Sequence, residues 1–127
     1  MWTDSMKRIL LAEDDRNLSR SMDILLTLEG FQVVAVYNGE EALHKLVQQP
    51  YDLLITDIVM PNLNGLELIQ KIRRLNPMLP IIVVSGKLNP QLVADLRAMN
   101  IQHIVPKPIK PVEFRKTVEQ VFQNESV

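Results

Sequence analysis

Five short apolar runs recur along this chain, each followed by a stretch with helical spacing, and that alternation limits the folds open to it. The runs are Ile9-Leu10-Leu11-Ala12, Phe31-Gln32-Val33-Val34-Ala35-Val36, Leu53-Leu54-Ile55-Thr56, Ile81-Ile82-Val83-Val84 and the shorter Ile104-Val105. Several lack polar alternation, the pattern of strands covered on both faces. Between them, Leu18, Met22, Leu25 and Leu26 fall on one helical face, with Gly30 where a left-handed C′ residue belongs. Asn38 is an N-cap candidate, with Glu41 three residues on and Ala42, Leu43, Leu46 and Val47 behind it. Leu68, Ile72 and Leu75 share a face that ends before Pro77. Asn89-Pro90 reads as a cap and a first-turn proline ahead of Leu92, Leu96 and Met99. Pro111 opens a last helix carrying Phe114, Val118, Val121 and Phe122. Five strand–helix units imply a parallel sheet with helices on both faces, because parallel strands must be joined by crossovers.

The remaining bulk properties narrow the class. A length of 127 residues suits one domain with its own core. The boundaries are expected at 7–123, with 1–6 and 124–127 as tails. A net charge of −1 gives no reason to expect binding to nucleic acid or an anionic membrane. No cysteine is present, which excludes disulfides and thiolate metal sites. No apolar run approaches the ~20 residues of a membrane span, and residues 1–6 lack the apolar core of a signal peptide. A cytoplasmic location is the expectation.

In open α/β sheets, ligands sit outside the carboxyl ends of the strands. Here those ends are polar. The first strand exits into Glu13-Asp14-Asp15, the third into Asp57, the fourth into Ser85 and the fifth into Lys107. Were the first and third strands neighbours, their carboxylates would converge and repel. A hard divalent cation relieves that repulsion with oxygen ligands, and a carboxylate beside it can attack phosphorus to form an aspartyl phosphate. Lys107 would neutralise phosphoryl oxygens, and the Ser85 hydroxyl would hydrogen-bond one of them.

Over about residues 7–123 the chain resembles the response-regulator receiver domains (CheY-like) of two-component signal transduction. The matching stretches are residues 9–15, Asp57-Ile58-Val59-Met60-Pro61 with Asn64-Gly65, Val83-Val84-Ser85-Gly86 and Pro106-Lys107-Pro108. The resemblance implies a flavodoxin-like (βα)5 fold of strand order 2-1-3-4-5. It implies Asp57 as phosphoacceptor, and Glu13, Asp14, Asp57 and the Val59 carbonyl as ligands for Mg2+, with Mn2+ as a substitute. It implies Ser85 as the switch hydroxyl and Lys107 as the phosphate-contacting lysine, ahead of a cis bond to Pro108. The implied donor is a sensor histidine kinase or a phosphotransfer protein. The implied output face, toward an output domain or downstream target, is helix four, strand five and helix five, with homodimerisation open. Such a domain assists its own phosphotransfer and dephosphorylation rather than turning over as an enzyme. One departure is Ile104, where receivers often carry Tyr or Phe, so no aromatic reporter is expected there. Lys87 and Val59 occupy positions that tune dephosphorylation in the family.

Plainer readings stand beside these. Asp15 fits a helix cap, whereas Glu13 and Asp14 exceed what a cap needs. Asp57, Ser85 or Lys107 alone would be a turn residue, a cap or a solvated lysine; together at strand exits they favour function. His44 and His103 read as surface residues, the six methionines as core filler and Trp2 as part of a tail. An aspartyl-phosphate phosphatase would want a second acid two residues after Asp57, where Val59 stands. A flavin module would want a phosphate-binding loop after strand one, where three acids would repel the phosphate.

Overall fold

The computed structural model describes residues 6–125; Trp2 and the expected tail residues 1–5 and 126–127 lie outside the described residues. Five strands, β1 (Arg8–Ala12), β2 (Gln32–Val36), β3 (Leu53–Asp57), β4 (Ile81–Ser85) and β5 (His103–Pro106), alternate with five helices. These are α1 (Arg16–Leu28), α2 (Gly39–Gln48), α3 (Gly65–Leu75), α4 (Pro90–Ala98) and α5 (Pro111–Glu125). All strand pairs are parallel, in the order β2-β1-β3-β4-β5, as the resemblance implied. α5 continues through Glu125, two residues into the stretch expected to be a tail, because no breaker follows Phe122.

Period-two alternation sends successive strand residues to opposite layers. Ile9, Leu11, Leu53, Ile55, Ile82 and Val84 pack with Met22 and Leu26 of α1 and Phe114, Val118 and Val121 of α5. Leu10, Ala12, Leu54, Ile81 and Val83 pack with Ala42, Leu68, Ile69, Ile72 and Leu96 from α2, α3 and α4. Continuous apolar strands are therefore the signature of a sheet buried twice.

Local chemistry sets the helix ends. Asp15 Oδ1 accepts from the N–H groups of Asn17 (3.0 Å) and Leu18 (3.2 Å), so Asp15 is the cap of α1. Asn38, Asn64 and Asn89 cap α2, α3 and α4 in the same way. α1 closes with Gly30 at φ 95°, where Gly30 N–H donates to Thr27 O and Phe31 N–H to Leu26 O. α4 closes identically with Asn100 at φ 63°, a cap the sequence reading passed over.

Three expectations about side-chain burial are corrected. Val47 and Leu75 are exposed rather than core, since each falls at the solvent margin of its stripe. Met6 and Met78 are also exposed, while Met22 and Met60 are buried. His103 is half-buried on β5 rather than a free surface residue, whereas His44 is exposed as expected.

Candidate phosphoacceptor site

The register of the sheet assembles the site. Ala12 pairs with Thr56, so Glu13 and Asp57 leave adjacent strands side by side. Asp57 pairs with Val84, and Ser85 with Pro106, which brings Ser85 and Lys107 to the same edge. The Lys107–Pro108 peptide is cis, as the resemblance implied. Lys107 is fixed further by its N–H, which donates to Ser85 O at 3.0 Å.

Asp57 is buried at 6% exposure, and both of its oxygens are held. Oδ1 accepts from Ile58 N–H (2.6 Å) and Val59 N–H (3.3 Å), and Oδ2 accepts from Lys107 Nζ (2.6 Å). Glu13, 1% exposed, accepts from Asp15 N–H through Oε2 (3.0 Å). Its Oε1 lies 3.0 Å from Lys107 Nζ. That ammonium, however, aims its aligned donor at Asp57, so Glu13 Oε1 is buried without an aligned hydrogen bond. Burial pushes the Glu13 carboxyl above its usual range, and the Asp57 charge adds to this, against the opposing pull of Asp15 N–H and Lys107. For Lys107, burial opposes the charge, but its contacts with Asp57 and Glu13 prevail and hold it above the usual lysine value.

Carboxylate oxygens of Glu13, Asp14 and Asp57 lie within 4.8 Å of one another. Two ligands on an ion with bonds of about 2.1 Å are at most about 4.2 Å apart, so small side-chain adjustments suffice to share a cation. The donor set is all oxygen, and one of its buried atoms lacks an aligned donor. Both features fit a hard divalent cation. Asp14 itself is exposed and makes no hydrogen bond or ion pair among the described residues.

Ser85 is buried, and its Oγ accepts from Lys87 N–H at 3.2 Å. Its own hydroxyl proton is thereby left for another acceptor. The Val59 side chain is exposed beside the site. Ile104 is half-buried and packs on the α2–α4 layer.

Two structural glycines hold the loop after β3. A Cβ on Gly65 would strike Asp57 O and Ile58 Cα, and Gly65 N–H donates to Ile58 O at 2.9 Å. A Cβ on Gly39 would strike the Leu63 backbone of the same loop. Gly39 escaped the sequence reading because a glycine after a cap has no distinguishing local pattern. Arg73 escaped it too: its guanidinium donates to Met99 O, Leu79 O and Asn100 O, a long-range staple invisible in one dimension.

The class defined by this fold and this acid-rich edge is confirmed by comparison. The family model of the response regulator receiver domain matches residues 9–119, and the chain belongs to that family. Among relatives, the response regulator receiver protein CpdR of Brucella abortus is 34% identical over 117 residues, covering 92% of this chain and 98% of that protein. The response regulator ArlR of Staphylococcus aureus is 40% identical over 82 residues, 65% of this chain but only 37% of that longer protein. A CheY-like receiver domain protein from Methanospirillum hungatei superposes with a TM-score of 0.90 at 27% identity, covering 96% of this chain and 98% of that one. The protein is thus a receiver domain of two-component signalling. No helix among the described residues is long and apolar enough to cross a membrane.

Proposed function

We propose that Asp57 accepts a phosphoryl group from the phosphohistidine of a sensor kinase or a phosphotransfer protein. A carboxylate oxygen of Asp57 attacks phosphorus, the phosphorus–nitrogen bond breaks, and the imidazole leaves with its electron pair. The observation that carries this is the pairing of a buried, doubly anchored Asp57 carboxylate with the Lys107 ammonium at 2.6 Å, beside two further acids. Glu13, Asp14, Asp57 and the Val59 carbonyl would hold Mg2+, or Mn2+ in its place. When bound, the ion would supply charge neutralisation for the acids and for the incoming phosphoryl oxygens. Lys107 exchanges its contact with Asp57 for a phosphoryl oxygen, and Ser85 donates its free hydroxyl proton to another. The phosphoryl group then biases two arrangements of the α4–β5–α5 face, which meets an output domain, a downstream target or a second copy. The receiver unit extends over 7–123. Val59 supplies no acid–base group, so the aspartyl phosphate is read as a signal rather than as an intermediate of monoester hydrolysis.

The test is a mass measurement after incubation with acetyl phosphate and magnesium. The parent gains one phosphoryl adduct, and Asp57→Asn gains none. An unmodified parent, or an adduct that survives in Asp57→Asn, overturns the reading.

A further inference from the structure

Asp14 is the one acid of the cluster whose side chain is held by nothing among the described residues. Glu13 and Asp57 are each held by a backbone N–H and by the Lys107 ammonium, whereas the Asp14 side chain depends on where its backbone lies. That backbone is tied on both sides to the β2–α2 junction. Before it, Glu13 N–H donates to Val36 O at 3.1 Å. After it, the Arg16 guanidinium stacks on the Tyr37 ring at 3.9 Å. Tyr37 is in turn fixed, because its N–H donates to Glu41 Oε1 at 2.8 Å while Asn38 caps the helix that carries Glu41. Arg16 opens α1, where a cation opposes the helix dipole. Among the described residues Arg16 makes no ion pair, and its contact there is with the Tyr37 ring.

We propose that Arg16 and Tyr37 form a clasp that positions Asp14 for the divalent cation, making both of them positioning residues for the metal. This rests on the cation site described under the proposed function. The clasp is a cation–π contact between an exposed Arg16 and a half-buried Tyr37, so its loss changes affinity by a few-fold rather than by orders of magnitude. Tyr37→Leu removes the ring without altering charge, and Tyr37→Phe keeps the ring face.

The experiment measures Mg2+ affinity by titration calorimetry, alongside the far-ultraviolet circular dichroism and melting temperature of each variant in EDTA. Tyr37→Leu is expected to weaken Mg2+ binding about three- to fivefold with unchanged secondary structure, and Tyr37→Phe to bind as the parent does. Adding Arg16→Gln to Tyr37→Leu is expected to cause no further weakening, because the two act through one contact. Equal Mg2+ affinity in the parent and Tyr37→Leu overturns the clasp while leaving the cation site intact. Equal weakening in Tyr37→Phe and Tyr37→Leu overturns it as well, since the ring face would then be irrelevant. A parent that binds no Mg2+ overturns the cation site itself.

Discussion

Glu13 shows how one side chain is tuned against its own stability. Its carboxyl is held above the usual value of 4.5, chiefly by burial, so the folded state resists its ionisation. The associated stabilisation is complete below 4.5 and fades as pH rises through the elevated folded value, so at neutral pH the ionised group is a net cost. Glu13→Gln should therefore be no less stable than the parent in EDTA. If the proposed cation site holds, magnesium at about ten times its dissociation constant is expected to stabilise the parent by about 1.4 kcal/mol, and most of that gain should vanish in the variant. Urea denaturation of both proteins with and without magnesium checks the two statements together. His103 runs in the opposite sense. Burial, helped by the nearby Arg97 charge, holds it below its usual 6.5. The unfolded chain then takes up a proton that the folded chain refuses, so stability is intact above 6.5 and declines as pH falls beneath it. In His103→Gln, the loss of denaturation midpoint between pH 7.5 and pH 5.5 should be smaller than in the parent.

At the scale of elements, what could be read from the sequence was whatever is written in local pattern. Five strands and five helices follow from apolar periods, and three of the caps from Asp15, Asn38 and Asn89. The site residues were legible because each stands at a strand exit, where a polar residue after an apolar run is conspicuous. The partnering of Glu13 and Asp57 with one lysine was not legible, because it depends on register between β1, β3 and β5. Asn100 was missed since asparagine announces a left-handed residue far less clearly than glycine does at Gly30. Asn100→Ala should cost about 1 kcal/mol and Asn100→Gly little or nothing, as thermal denaturation of the two variants will show. Gly65→Ala should be worse, about 1–3 kcal/mol, because the added methyl meets backbone rather than a movable side chain. The same variant should slow acquisition of the phosphoryl adduct, since Asp57 O lies in the clash.

For the molecule as a whole, two apolar layers share one sheet, and neither is complete without helices distant in sequence. Phe114, fully buried, joins α5 to the layer formed by α1 and the central strands. Phe114→Ala should cost about 3–5 kcal/mol, read as a shift in urea midpoint. Arg73 does comparable work on the other layer by joining α3 to the carbonyls that follow α4. The span of this chain over nearly all of one relative, and just over a third of another, shows the same unit both as almost an entire protein and as a module within a larger one.

The convergence of Glu13, Asp57 and Lys107 has a consequence for quality control in signalling. They stand at the exits of β1, β3 and β5, with β4 lying between the last two in the sheet. A fragment that stops before β5 lacks Lys107, and one that starts after β1 lacks Glu13. Under the proposed function, Asp57 in a chain that has not yet docked β5 would lack its Lys107 contact, so phosphoryl uptake there is expected to be slower than in the folded domain.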